Sequence, residues 1–162
     1  MHRNDFVRLL AASFALAAIA CSPASQAQQQ SANTIILEDA WAGATLPSVS
    51  VGAGYLTIRN TGTRADTLLS VSTPRAALTQ VHEMSIDNGV MRMRALANVP
   101  IGAASVVTLA PGGTHIMFMD IDAPFTEGAT IPVTLRFEHQ GEVEANFIVR
   151  ARSGHGAHAH NH

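Results

Sequence analysis

Cysteine occurs once in this 162-residue chain, at Cys21, and lysine does not occur at all. A single thiol near the N-terminus supports no disulfide framework, no thiolate zinc cage and no C-x-x-C redox pair. Charge is scarce as well: 14% of the residues are charged, ten arginines stand against twelve acids, and the formal net charge is -2. That balance gives no basic field for a phosphate backbone, so nucleic acid is excluded as a partner. Amphipathic helical periodicity is missing, with no such stretch longer than about two turns. What is present is 47% hydrophobic sequence, enough for one core in one domain.

The apolar run at residues 9–20 follows Arg3 and Arg8 and is too short to span a bilayer comfortably, which makes it an export signal and leaves no transmembrane segment in the mature chain. Cleavage after Ala27 uses the small residues of Ser25-Gln26-Ala27; cleavage before Cys21, after Ala18-Ile19-Ala20, would leave a lipid-anchored N-terminus. The first route, giving a soluble periplasmic protein without cysteine, is favoured because no Leu stands three residues before Cys21. The expected organisation is a signal peptide at 1–27, a polar linker at 28–33, a β-sandwich domain at 34–152 and a flexible His-rich tail at 153–162.

Within the domain, short apolar runs alternate with turn residues, the pattern of an all-β fold. Strands are expected at 35–41, 53–59, 67–71, 79–86, 90–96, 105–109, 114–121, 130–138 and 142–149, separated by Asn60-Thr61-Gly62, Asn88-Gly89, Pro111-Gly112-Gly113 and His139-Gln140-Gly141. Pro132 is expected to begin its strand or to lie at an edge. Nine strands suggest a two-sheet sandwich.

The methionines are unevenly placed: apart from Met1, all lie in two short segments, Met84, Met91 and Met93 in one and Met117 and Met119 in the other, and each segment holds a histidine. A two-residue Asn88-Gly89 turn fixes the register of the first, setting Ser85 opposite Arg92, Met84 opposite Met93 and His82 opposite Ala95. One face of that hairpin then carries His82, Met84, Ile86, Met91, Met93 and Ala95, and the other sets Glu83 and Ser85 against Arg94 and Arg92. In the second segment period two puts His115, Met117 and Met119 on one face and the core pair Ile116 and Phe118 on the other. Brought together, two imidazoles and two or more thioethers make a soft, neutral donor set suited to Cu(I) and poor for Mg or Ca. Packing alone would explain one isolated H-x-M; two of them plus Met93 in an exported chain favour metal, with Met91 and Met119 read as packing residues.

At these residues the chain resembles the PCu(A)C family of periplasmic copper chaperones. The family pattern is a His, ten residues, Met, twenty-one residues and His-x-Met, and here His82, Met93 and His115-Ile116-Met117 reproduce it without a gap. Further matches are Ala40-Trp41, the stretch from Gly54 to Asn60, Gly89-Val90-Met91-Arg92-Met93 and Pro111-Gly112-Gly113-Thr114-His115, so the resemblance covers residues 35–149. It implies a cupredoxin-like Greek-key β-sandwich that binds one Cu(I) through His82, Met93, His115 and Met117. It also implies delivery to a copper-accepting protein such as subunit II of cytochrome c oxidase, with its dinuclear copper centre, beside a thiol-containing partner chaperone. No catalysis is required, so the protein is read as a non-enzyme. Copper sequestration without a dedicated acceptor is the alternative, and a blue-copper carrier is excluded because the folded domain has no Cys ligand.

Secondary metal donors are Met84 and the tail imidazoles His155, His158, His160 and His162, which suit Cu(II) or Zn. Trp41, Tyr55, Phe137 and Phe147 are read as core, His139 as a solvated turn residue, and Asp120 with Asp122 as no catalytic pair.

Overall fold

The computed structural model describes residues 34–151, ten strands without a helix among them. These are β1 (Ile35–Gly43), β2 (Val51–Asn60), β3 (Asp66–Ser72), β4 (Ala76–Asp87), β5 (Val90–Leu96), β6 (Val99–Ile101), β7 (Val106–Leu109), β8 (Thr114–Ile121), β9 (Thr130–Phe137) and β10 (Gly141–Arg150). The expected signal segment, the linker, Cys21 and the tail histidines His155, His158, His160 and His162 lie outside the described residues. Among the described residues no helix is long and apolar enough to cross a membrane.

Hydrogen bonds join the strands in one open sheet of order β5-β4-β8-β2-β1-β10-β9-β3-β6, with β7 on β2. Only β1 and β10 run parallel among these pairings. The sheet wraps over itself: β3 comes to line a cleft with β4, and inward side chains from both ends of the ladder, Leu68 and Ile101 at one and Ile116 and Phe118 at the other, share a core. The result is a two-layered sandwich. Each fully buried Leu, Ile or Phe contributes about 1.5–3 kcal/mol to holding the layers together.

All nine expected strands are present, and the tenth, β6, is the one the sequence pattern misses. It is three residues long, contains Pro100 and sits at the sheet edge, where a missing N–H is tolerated. Pro132 departs from expectation, since β9 begins at Thr130 and lies between β10 and β3. The ladder with β3 stops at Ser72 opposite Thr134, so beside Pro132 this interior strand is locally an edge.

Three local devices position the outer surface of the sheet. The Asn88-Gly89 turn has positive φ at both residues, 49° and 78°, the type I′ geometry that holds a two-residue hairpin in register. A bulge between Glu38 and Trp41, with Asp39 at φ 49°, inserts one residue into β1. Without it Trp41 would face the core; with it Trp41 pairs with Tyr55 on the outer face and Ala42 turns inward. The third device lies along β2, where β7 pairs with residues 56–59 and β8 with residues 51–54 on the same edge and in the same direction. Residues 110–115 are therefore an excursion from one interrupted strand, and Pro111-Gly112-Gly113 form the expected turn within it. Behind this surface Phe118 packs edge-on against Phe125 and Phe147, with ring centroids 5.5 and 6.3 Å away. A Cβ on Gly54 would stand 2.7 Å from Phe118, so β2 carries glycine where these rings press on its backbone.

Candidate metal centre

β4 lies between β5 and β8, and its pairing on both sides decides which side chains meet. Toward β5 the register is His82 opposite Ala95, Met84 opposite Met93 and Ser85 opposite Arg92, as the turn requires. Toward β8, His82 faces His115 and Gln80 faces Met117, while Met117 in turn faces Ala53 of β2. Directly opposed residues share a face, so His82, Met84, Met93, His115 and Met117 all stand on the outer surface, and Ile116 and Phe118 are fully buried beneath it.

The two imidazoles are neighbours, their ring centroids 6.3 Å apart. His115 is almost buried, and its Nδ1 lies 3.0 Å from the carbonyl oxygen of Gly113. An Nδ1–H donated to that oxygen leaves the Nε2 lone pair free. His82 is the mirror case: its Nε2 is 3.1 Å from Oε1 of Gln80, and an Nε2–H donated there leaves Nδ1 as acceptor. That Nδ1 is buried and has no hydrogen-bond partner, and it is the only such side-chain nitrogen or oxygen among the described residues. A buried acceptor left without a proton donor is unfavourable in an apo protein and is what a cation would satisfy. Burial, and to a lesser degree the charge of His115, pull the His82 imidazole below its ordinary value of 6.5, which keeps the lone pair available at neutral pH.

Beside His115 opens a depression of about 420 Å³ whose walls include Trp41, Tyr55, Met93, Pro111, His115 and Met117. Trp41 and Tyr55 stack with centroids 4.4 Å apart, Tyr55 stands 6.4 Å from the His115 ring, and the Arg150 guanidinium covers Trp41 at 5.3 Å. Both aromatics are half-buried here, so their reading as core residues is corrected; the Asp39 bulge moved Trp41 outward. Phe137 and Phe147 are core, and His139 is an exposed turn residue as expected.

Thus the four residues His82, Met93, His115 and Met117 share one surface, with Met84 beside them, while Met91 stands farther out on the hairpin. Among the described residues there is no cluster of three or more His, Cys, Asp or Glu, so a cage for a hard cation is not formed there. Sequence reasoning missed the groups that orient the imidazoles, Gln80 and Gly113. Each lies two positions before its histidine; strand alternation could have found Gln80, whereas Gly113 acts through a backbone carbonyl in the turn before β8 and leaves no such signal. It also missed Asp66, whose carboxylate accepts the backbone N–H groups of Thr67, His139 and Gln140 and ties β3 to the β9–β10 turn.

Solved structures similar to this chain include PCuAC domains. A copper-bound PCuAC domain from PmoF2 is 28% identical, with a TM-score of 0.64 over 74% of this chain and 94% of that one. Apo-DR1885 from Deinococcus radiodurans, at 23% identity, shares the fold with a TM-score of 0.60 over 94% of this chain and 98% of that one. The architecture is therefore the cupredoxin-like sandwich of PCuAC domains. In sequence, the chain is 35% identical over 117 residues to "Putative lipoprotein Lxx21020" of Leifsonia xyli subsp. xyli, covering 71% of this chain and 69% of that protein. The LpqE-like family model, described as "Putative lipoprotein LpqE-like", matches residues 35–149, from the first residue of β1 into the end of β10, and the chain belongs to that family.

Proposed function

We propose that this protein is an exported copper chaperone that holds one Cu(I) between His82, Met93, His115 and Met117 and passes it to a copper-accepting protein. The observation that carries the reading is the cross-strand histidine pair, in which Gln80 and the Gly113 carbonyl each take one ring nitrogen and the buried Nδ1 of His82 is left without a partner. Thioethers from Met93 and Met117 complete a neutral, soft donor set that suits Cu(I). Copper is cargo here, and its release needs only ligand exchange: thiolates of an acceptor displace the thioethers in turn, and no bond within either protein breaks. Copper bound to the PmoF2 domain supports the choice of metal. The acceptor we favour is subunit II of cytochrome c oxidase, with a thiol-containing chaperone acting beside it; the tail residues His155, His158, His160 and His162 are assigned as a secondary Cu(II) site that raises local copper.

An anaerobic Cu(I) competition titration of the mature chain tests this against a His115→Ala, Met117→Leu double variant. Tight one-to-one binding lost in the variant is the expected result. Equal binding by both would overturn the site. The lipoprotein names of the family and of the Leifsonia relative support attachment at Cys21 as the alternative to cleavage after Ala27. The mass of the mature N-terminus separates the two.

A further inference from the structure

The hairpin of β4 and β5 extends past the body of the sheet. The ladder of β4 with β8 ends at Glu83 opposite Thr114, whereas its ladder with β5 continues to Asp87 opposite Val90. On this two-stranded ribbon one face is ionic, with Arg94 on Glu83 at 2.7 Å and Arg92 near Asp87 at 3.7 Å. The other presents Met84, Ile86, Met91 and Met93. Met84 stands directly opposite Met93 and diagonally from Met91, which places their Cβ atoms about 5 Å and 7–8 Å apart, within reach of three flexible thioethers converging on one point.

Core packing does not account for Met91 and Met93, while Met84 is half-buried at the base of the ribbon. Met91 is 63% exposed, Met93 48%, and Ile86, directly opposite Met91, 72%. A long unbranched side chain held in water buries little apolar area, and the ribbon is already tied by its turn and its ion pairs. On that face, past the end of the ladder with β8, the donors are the neutral sulfurs of Met84, Met91 and Met93, and the His82 imidazole stands two residues before Met84. The thioether set takes Cu(I) and ignores Zn, Mg and Ca.

We propose that Met84, Met91 and Met93 form a second, thioether-only Cu(I) station on the ribbon, through which copper reaches and leaves the histidine pair. The inference rests on the copper reading above and adds a place where the metal is held before and after that site. Met93 belongs to both donor sets, so copper crosses by exchanging Met84 and Met91 for the imidazoles and Met117 while one ligand stays attached. Cu(I) remains Cu(I), copper–donor bonds alone break and form, and thioethers neither take nor release a proton. Met84 also adjoins the histidine site: its N–H donates to the Gly113 carbonyl that receives His115 Nδ1, and its methyl carbon lies 3.9 Å from where a Gly112 Cβ would stand.

The test titrates Cu(I), supplied anaerobically as its acetonitrile complex, into the mature chain carrying His82→Ala and His115→Ala, with and without Met84→Leu and Met91→Leu. The expected result is a weaker one-copper site with sulfur-only X-ray absorption, whose affinity falls by roughly tenfold or more when the two leucines are added. Equal affinity with and without them overturns the station. Should the histidine-free chain bind copper as tightly as the native one, the histidine assignment fails instead, and the leucine comparison still decides the station. A second measurement avoids any folding defect: in the otherwise native chain, Met91→Leu is expected to slow Cu(I) transfer to a thiol chelator by about tenfold while leaving equilibrium affinity within about twofold. An unchanged transfer rate counts against the proposal.

Discussion

Strands β8 and β5 flank β4 on opposite sides, and both carry methionines at alternate positions, yet they are built in opposite ways. β8 is interior, paired to β4 and β2, with Ile116 and Phe118 fully buried behind His115 and Met117. β5 is the sheet edge, and none of its residues is buried. On β8, His115 and Met117 are therefore held by the core, whereas on β5 Met91 and Met93 are backed by water and can swing. A protein that must hold copper and then give it up gains from that division. On the copper reading proposed above, the fixed half would set geometry and affinity, and the yielding half would open a coordination position to the acceptor.

Stability breaks the comparison most sharply. Phe118→Ala removes a ring packed against Phe125 and Phe147 and is expected to cost about 3–5 kcal/mol. Met91→Leu on β5, being exposed and volume-conserving, is expected to change stability by no more than about 0.5 kcal/mol. Between them falls Gly54→Ala, whose new Cβ would meet Phe118 at 2.7 Å and cost about 1–3 kcal/mol. Urea unfolding of the three apo variants checks the order; a large loss for Met91→Leu would mean that β5 is packed rather than free.

Copper binding sharpens the same contrast. Met117→Leu and Met93→Leu both remove one thioether while conserving volume, so neither should disturb the fold by more than about 1.5 kcal/mol. Loss of the core-backed Met117 is expected to weaken Cu(I) on the order of 100-fold, about 2.7 kcal/mol, and loss of Met93 by on the order of tenfold, with the effect mainly in the off-rate. Competition titrations with stopped-flow release measure both. Equal losses would show the edge strand to be as rigid as the interior one.

Much of this arrangement was legible because local chemistry decided it. Asn88-Gly89 permits one hairpin register, which alone sets Met84 against Met93 and His82 against Ala95. Alternation in β8 separated His115 and Met117 from Ile116 and Phe118. The pairing of His82 with His115 was not legible, because it depends on which strand lies beside β4, and no local signal fixes that. Trp41 was misread for a related reason: period two from Ile35 points it inward, and the single inserted residue at Asp39 reverses the face. The three-residue β6 is too short to show any period.

The smallest expected effect concerns protons. His82 faces His115 across the ladder, hydrogen-bonds Gln80 beside it, and has its proton affinity lowered from 6.5 first by burial and then by the His115 charge. A histidine whose folded value lies below its unfolded one binds more protons when the chain is unfolded. Stability of the apo protein should therefore be unaffected above about pH 7 and should fall as pH drops through 6.5 toward the depressed value. His82→Gln removes that titration, so the gap in melting temperature between native and variant apo proteins should shift against the native chain between about pH 7.5 and 5. On β5 the thioethers do not titrate, and Met93→Leu should leave the native slope with pH unchanged. A pH-independent gap for His82→Gln would mean that His82 is solvated rather than held against His115, and the β4–β8 pair would lose the electrostatic part of its distinction from the edge strand β5.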